Sequence, residues 1–262
     1  MTNKLELKFD KTQAKRIVEN IVYPLIALGL ALAIWAIVAK VKDNPLVLPM
    51  PDVVLERFFK LGGEEGFWLA VLASILRTLI AFVTSFLIAL LFAALGGVFK
   101  PFHRVMSPLV TILRAAPTVA VILIMYAFVH NTTMTILVGF LIAFPIMYSA
   151  FYSAIVGVDR DLVEMAKLYK VSPLNRIRFV YLPSVANTLF DTSKSTLSLT
   201  FKVVVAAEIL TSVARSVGGK IQTAYASFEV AYLLAWTLVA IVFSFVLEGI
   251  VAISKKIWEV AR

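Results

Sequence analysis

Long apolar runs without charged residues constrain this chain more than any other feature. The 44 residues from Ala115 to Val158 contain no Asp, Glu, Lys or Arg, and a helix crosses the ~30 Å hydrocarbon core of a bilayer in about 20 residues. The chain of 262 residues is 61% apolar and 16% charged, which leaves too little polar surface to cover a compact domain in water. The sequence therefore predicts an all-α integral membrane protein.

The apolar runs predict six transmembrane helices within a single domain that covers residues 1–262. A charged loop at 158–183 separates the fourth span from the fifth, and we expect Pro183 to break the chain before it re-enters lipid. Interior prolines can also kink the third and fourth spans. The expected spans are residues 21–41, 68–99, 105–129, 134–157, 184–213 and 230–254.

Lysine and arginine are distributed unevenly between the two sides that this topology defines. The side with both termini and the 158–183 loop carries 15 of them, whereas the opposite side carries six. Cytoplasmic loops of membrane proteins are enriched in these residues. We therefore expect both termini and the 158–183 loop to lie in the cytoplasm.

Several classes of function are excluded by composition. The chain has no cysteine and only two histidines, so thiol catalysis and Cys-ligated metal centres are ruled out and we expect no metal site. His130 is expected to be solvated in the turn between spans three and four, and His103 lies in the link between spans two and three. The net charge of +9 resides in short segments between apolar runs, which argues against a nucleic-acid partner.

Ionisable residues inside predicted spans are candidates for function, because a charged side chain is costly in hydrocarbon. Helical spacing places five polar residues of span five on one stripe: Asp191, Lys194, Ser195, Ser198 and Lys202. Such a stripe would line a translocation path. The candidate path residues are Arg114, Ser195, Ser198 and Lys202.

The same charges have a structural interpretation as contacts within and between helices. Asp191 and Lys194 are three residues apart and can neutralise each other. Arg77 can bind a buried acid of another span, for which Glu208 and Glu248 are candidates. Glu208 lies about 100° or more from the centre of the stripe, which favours a contact between helices over contact with substrate.

The loop at 158–183 predicts two short helices joined by an elbow. Acidic residues begin the first helix, and Ser172 followed by Pro173 is a typical start for the second. The loop is similar to a motif that reads Glu-Ala-Ala, three residues, Gly, nine residues, Ile, one residue and Leu-Pro. Four residues match this motif in type and position: Glu164, Ala166, Leu182 and Pro183. Met165 replaces the first Ala of the pattern, Val180 replaces Ile, and Lys170 replaces Gly.

This loop resembles the EAA loop of ABC importer permeases. Four further fragments, in the same order and spacing, resemble the nitrate/sulfonate/taurine group of that family: Ser74-Ile75-Leu76-Arg77, Leu113-Arg114-Ala115-Ala116-Pro117, Phe144-Pro145-Ile146, and Ala207-Glu208 followed by Ser216-Val217-Gly218-Gly219. The resemblance covers nearly all of residues 20–255. The Gly position of the loop permits a turn with φ > 0, so Lys170 implies either a differently built elbow, using Ser172 and Pro173, or modified docking.

The resemblance implies a prokaryotic plasma (inner) membrane protein that works by alternating access. It implies a pair of permeases, expected here to be a homodimer, two copies of a cytoplasmic ATP-binding subunit and an external substrate-binding protein. The residues that would couple the ATPase to the permease are Glu164, Ala166, Lys170, Ser172, Pro173, Leu182 and Pro183. The chain lacks a Gly-x-x-x-x-Gly-Lys-Ser/Thr loop, so ATP and magnesium are expected on the partner ATPase, and this chain is expected to bind no cofactor and to be no enzyme.

The substrate is the least constrained part of this prediction. Four Lys or Arg against three Asp or Glu inside the spans, together with the substrates of the group, favour a small anion such as nitrate, a sulfonate or taurine. A thiamine-type pyrimidine precursor is the alternative, although the aromatic residues around Tyr148 and Tyr152 are more typical of packing. A secondary transporter or channel without an ATPase is the alternative class, and the paired-helix loop argues against it.

Overall fold

The computed structural model describes residues 19, 22–129 and 132–260. The basic N-terminal segment up to residue 18 and His130 lie outside the described residues. The described part of the chain is helical and contains no strand. Its helices are α1 (Tyr23–Lys42), α2 (Pro51–Leu61), α3 (Phe67–Val98), α4 (Lys100–Ala115), α5 (Thr118–Phe128), α6 (Thr133–Val156), α7 (Arg160–Leu168), α8 (Pro173–Arg176), α9 (Leu182–Leu210), α10 (Val217–Ala226) and α11 (Val230–Val260).

Four of the described helices are long and apolar enough to cross a membrane: α1, α3, α6 and α11. The pair α4 and α5 meets the same criterion when it is taken together. Helix α9, the predicted fifth span, does not meet it, because four ionisable residues interrupt its apolar sequence. The structure thus has the helices of a multi-span membrane protein, and the count of six spans stays a prediction.

The predicted third span, 105–129, is divided between two helices at one of its interior prolines. Helices α4 and α5 are bent by 101° relative to each other at the break between them. Ala116 adopts an extended conformation (ψ 130°) directly before Pro117, as expected because the proline ring disfavours helical geometry in the preceding residue. Pro108 and Pro145, in contrast, remain inside helices α4 and α6.

The predicted break of the chain at Pro183 is wrong. A π-helical turn, Ile177–Tyr181, joins α8 to α9, and Pro183 lies in the first turn of α9. The widened turn accommodates the proline, which lacks an N–H and whose ring clashes with the carbonyl of residue i−4 in a regular α-helix. The segment from Pro173 to Leu210 is therefore helical without interruption.

Helices α3, α6 and α9 pack together along the centre of the molecule. The buried face of α3 consists mainly of small residues at intervals of three and four: Ala70, Ser74, Thr78, Ala81, Ser85, Ala89, Ala93 and Gly96. Small side chains allow helix backbones to approach closely in a membrane. At Gly139 of α6, a Cβ atom would lie 2.9 Å from Ala81 and 3.1 Å from Val204, so the three helices meet there.

Larger apolar side chains fill the space on either side of this contact. One cluster joins α3, α9, α10 and α11 around Phe201 and Trp236. A second joins α3, α4 and α6 around Phe144 and Phe151. Helix α1 lies at the periphery, where the Trp35 indole N–H donates a hydrogen bond of 3.1 Å to a carbonyl before α2.

Candidate functional site

The predicted elbow is present between α7 and α8. Asp159 caps α7 by accepting a hydrogen bond of 2.8 Å from the Asp161 N–H. After the helix, the Val171 N–H donates to the Ala166 carbonyl and the Lys170 N–H to the Lys167 carbonyl, both at 2.9 Å. This pair of hydrogen bonds is a Schellman motif, whose C′ residue adopts a left-handed conformation that glycine favours.

Lys170 is that C′ residue, with φ 54°. A side chain in this conformation costs roughly 1–2 kcal/mol relative to glycine. Ser172 then caps α8 by accepting a hydrogen bond of 3.4 Å from the Asn175 N–H, and Pro173 occupies the first turn. The elbow therefore keeps the backbone that the glycine position requires, and it uses the Ser172 cap as well.

Apolar side chains of the elbow are exposed although the surrounding sequence is charged. Leu168, Tyr169 and Leu174 are 82%, 79% and 74% exposed. Glu164 is exposed on the same short helix, whereas Ala166 is buried. Leu182 is 39% exposed at the start of α9. An apolar patch with a polar border, on a segment too charged for lipid, is typical of a protein–protein contact.

At the end of α9 that is farther from the elbow, a cluster of polar groups is buried around the carboxylate of Glu208. Glu208 is fully buried, and Arg77 of α3 donates a hydrogen bond of 2.7 Å to its Oε1. The Ser74 hydroxyl lies 2.7 Å from Oε2 and accepts a hydrogen bond of 3.0 Å from the Val217 N–H. The Gly218 N–H donates to Oε2 at 3.1 Å. The predicted contact between Arg77 and Glu208 is thus present.

The first turn of α10 packs against this carboxylate. Ser216 caps α10 by accepting a hydrogen bond of 2.8 Å from the Gly219 N–H, and the positive end of a helix dipole stabilises a nearby carboxylate. A Cβ atom at Gly218 would lie 2.4 Å from the Glu208 Cβ, and one at Gly219 would lie 2.0 Å from the Val213 carbonyl oxygen. The two glycines therefore allow α10 to approach α9 closely enough for the backbone to bind Glu208.

The predicted pairing of Asp191 with Lys194 is wrong. Asp191 accepts a hydrogen bond of 2.8 Å from the Lys255 ammonium group of α11, because α9 and α11 pack side by side and bring the end of α11 next to the first half of α9. Lys194 is exposed. Among the described residues, neither Lys194 nor Lys202 takes part in an ion pair.

The predicted stripe on α9 is only partly exposed. Ser195 and Lys202 are exposed in the single chain, whereas Ser198 is 2% exposed and its hydroxyl has no hydrogen-bond partner among the described residues. Ser198 is therefore not open to a path in this structure. Helical spacing fixes the direction of a side chain but not what packs over it, and a serine side chain is too short to reach past larger neighbours.

Arg114 lies in the last turn of α4 and donates a hydrogen bond of 3.4 Å to the Ser149 hydroxyl of α6. A cavity of about 550 Å³ opens between the two helices at this point. At its other end the Nδ1 atom of His103 lies 3.0 Å from the Tyr148 hydroxyl, and the imidazole stacks on Tyr152 with ring centroids 3.5 Å apart. The sequence did not predict this cluster, because His103 and Tyr148 are 45 residues apart and no local pattern places them in contact.

Apolar helices, a polar face on α9 and an exposed apolar elbow are together typical of a multi-span membrane protein with a contact surface outside the bilayer. Residues 85–257 match the family described as the binding-protein-dependent transport system inner membrane component. The chain belongs to this family and is the permease subunit of an ABC importer.

Two curated relatives and one solved structure agree with that assignment. The taurine transport system permease protein TauC of Escherichia coli is 24% identical over 239 residues, which cover 88% of this chain and 86% of the relative. The nitrate import permease protein NrtB of Leptolyngbya laminosa is 25% identical over 195 residues, covering 71% and 69%. An inward-facing structure of the methionine ABC transporter MetNI superposes with a TM-score of 0.63 at 17% identity, covering 72% of this chain and 95% of the MetNI chain.

Proposed function

We propose that this permease imports a small anion, similar to nitrate, a sulfonate or taurine, by alternating access driven by ATP. Two copies of an ATP-binding subunit dock on the elbows of a permease homodimer, and an external binding protein delivers the solute. The elbow and both termini lie in the cytoplasm of a prokaryotic cell. ATP and magnesium bind the partner ATPase and not this chain.

The exposed apolar elbow carries the docking part of this proposal. Burial of its apolar side chains against a partner contributes a binding free energy of roughly 25 cal/mol per Å². Its backbone is already fixed by the Schellman motif and by the Asp159 and Ser172 caps. A partner that binds such a preformed surface loses little conformational entropy. This surface is formed by Glu164, Ala166, Lys170, Ser172 and Pro173. It is connected to α9 by Leu182 and Pro183.

The uninterrupted helix after the elbow supports the coupling part. Because α8, the π-helical turn and α9 form one helical segment, a displacement of the elbow by the ATPase moves α9 as well. Helix α9 carries the exposed Ser195 and Lys202. Movement of the docking surface therefore changes the position of the candidate path residues.

The unpaired cations support the choice of an anion. Asp191 on the α9 face binds Lys255, which leaves Lys194 and Lys202 exposed, without an ion pair in the described part of the chain. Ionisable residues in membrane segments commonly mark substrate pathways. The two curated relatives named above carry the names of taurine and nitrate transport systems.

The proposal is tested by purifying the tagged chain from native membranes and identifying the proteins that remain bound. Wild type is compared with Glu164→Lys on the elbow and with Glu65→Lys, a charge reversal at an exposed residue between α2 and α3. We expect wild type and Glu65→Lys to retain an ATPase and Glu164→Lys to lose most of it. If wild type retains no ATPase under conditions that preserve a control importer, an ATPase-independent transporter explains the chain better.

A further inference from the structure

The two arginines within predicted spans have different surroundings. The Arg77 side chain is 15% exposed and binds the fully buried carboxylate of Glu208. Arg114 is exposed to the cavity between α4 and α6, and its one hydrogen bond in the described part of the chain is the 3.4 Å contact with Ser149. Arg77 therefore has an internal counter-charge, whereas the charge of Arg114 is left for something outside the chain.

The cavity next to Arg114 combines polar and apolar lining. Four serine and threonine hydroxyls line it together with the guanidinium group: Ser107, Thr111, Ser149 and Ser153. No Asp or Glu is among the lining residues that the structure describes. The hydroxyls of Thr111 and Ser149 donate to carbonyls one turn earlier, at 2.9 and 2.8 Å, whereas those of Ser107 and Ser153 make no hydrogen bond within the described residues.

The opposite end of the cavity is rigid. The His103 imidazole stacks on Tyr152 at an interplanar angle of 2° and contacts the Tyr148 hydroxyl. These three rings tie the beginning of α4 to the second half of α6, so the spacing of the hydroxyl groups is fixed before a ligand enters. A site that is already ordered binds its ligand at a lower conformational entropy cost.

We propose that this cavity binds the oxyanion group of the transported solute, with Arg114 as the charged ligand and the hydroxyls of Ser107 and Ser153 as donors. A guanidinium group presents parallel N–H donors that match two oxygens of a carboxylate, sulfonate or nitrate. The volume of about 550 Å³ is within the range of small-molecule sites and holds such an anion with water. This inference rests on the proposed import of an anion, and it identifies Arg114 as the group that binds the anion.

The competing explanation is that Arg114 only joins α4 to α6. A cation in the last turn of a helix is favourable by itself, because the helix dipole is negative there. Ser149→Asp separates the two explanations, because it places a carboxylate within reach of Arg114. If Arg114 joins the helices, the new ion pair preserves or strengthens its role, whereas if Arg114 binds an anion, the carboxylate occupies the site.

The test measures how much sodium nitrate, sodium methanesulfonate and taurine raise the thermal unfolding midpoint of the purified full chain in lipid nanodiscs. The reference is sodium chloride at equal ionic strength for the two salts, and buffer alone for taurine, which is a zwitterion. We expect at least one of these solutes to raise the midpoint for wild type and for Arg104→Gln, which removes an exposed arginine of α4 that does not line the cavity. Arg114→Gln and Ser149→Asp should lose the increase, with binding weakened at least about tenfold. Ser149→Asp without ligand should be at least as stable as wild type.

The inference is overturned if none of the three solutes stabilises wild type, or if Arg114→Gln or Ser149→Asp responds as wild type does. A loss of stability in Arg114→Gln that Ser149→Asp does not share, with the anion response intact in Ser149→Asp, would assign Arg114 to helix packing instead. The measurement uses neither ATP nor the ATPase. Its failure therefore leaves the docking of an ATPase untouched, which the pull-down decides separately.

Discussion

At the scale of single residues, Glu208 is a carboxylate that the described part of the chain buries completely. A buried carboxylate is unfavourable unless charge and hydrogen bonds compensate it, and here Arg77, Ser74 and the first turn of α10 do so together. Helix α3, which is distant in sequence, and α10, which follows α9, must both be correctly placed to supply those groups. The cluster thus specifies how α3, α9 and α10 pack, and Gly218 is the glycine that contacts Glu208 itself.

Gly218→Ala is expected to destabilise the protein by at least about 2 kcal/mol, because overpacking a tight contact costs about 1–3 kcal/mol or more. The added Cβ would lie 2.4 Å from the Glu208 Cβ and 2.5 Å from the Val205 carbonyl oxygen, so backbone would have to shift. The measurement is the thermal unfolding midpoint of the purified chain.

Gly249→Ala is the matched control for that substitution. Gly249 is also helical, but nothing lies within 4 Å of its Cβ position, so replacement by alanine should stabilise α11 by about 0.5–1 kcal/mol. Equal midpoints for the two variants would show that the contact between α10 and α9 is looser than described.

At the scale of elements, the elbow is the part that sequence and structure describe most alike. The acidic start of α7 and the Ser172-Pro173 start of α8 were readable, because caps depend on residues within a few positions. The conformation of position 170 was left open, since Lys170 replaces the glycine of the EAA pattern, and the structure keeps the left-handed backbone there. The consequence is a strained Lys170 that can be tested directly.

Lys170→Gly is expected to stabilise the elbow by about 1 kcal/mol, since glycine adopts φ > 0 without the steric cost but loses more freedom on folding. Amide hydrogen exchange of the elbow in the purified chain should slow about fivefold. Lys167→Gly, in the last turn of α7, should have the opposite effect, because glycine lowers helix stability. Faster exchange in Lys170→Gly would mean that the lysine side chain makes a compensating contact.

Other elements could not be predicted from local sequence. The prolines at positions 108, 117, 145 and 183 all remove an N–H, yet one breaks the helix, two remain inside helices and one follows a π-helical turn. Whether a proline breaks, bends or stays within its helix depends on whether the neighbouring helices can pack against a bend at that position. For the same reason the Asp191 partner was assigned wrongly, because Lys255 approaches it only through the packing of α11 on α9.

At the scale of the whole molecule, the position of α9 decides the topology. Its composition is too polar for it to be recognised as a membrane span by apolarity, yet it packs against α3, α6 and α11, three helices that are apolar enough to cross. A helix enclosed by spans can carry charge because it faces protein or water rather than acyl chains. We therefore expect α9 to cross the membrane and to place the elbow and α10 on opposite sides.

The absence of cysteine makes this expectation directly testable with single-cysteine variants. Leu168→Cys labels the elbow and Ser227→Cys labels the end of α10, and both native side chains are exposed. A membrane-impermeant maleimide added to intact cells should react with Ser227→Cys, whereas Leu168→Cys should react only after the cells are permeabilised. Labelling of Leu168→Cys is measured after the permeabilised membranes are washed free of the ATPase, because a docked ATPase would cover this position. Reaction of both positions from the outside would mean that α9 does not span the membrane, and the elbow could then not dock a cytoplasmic ATPase.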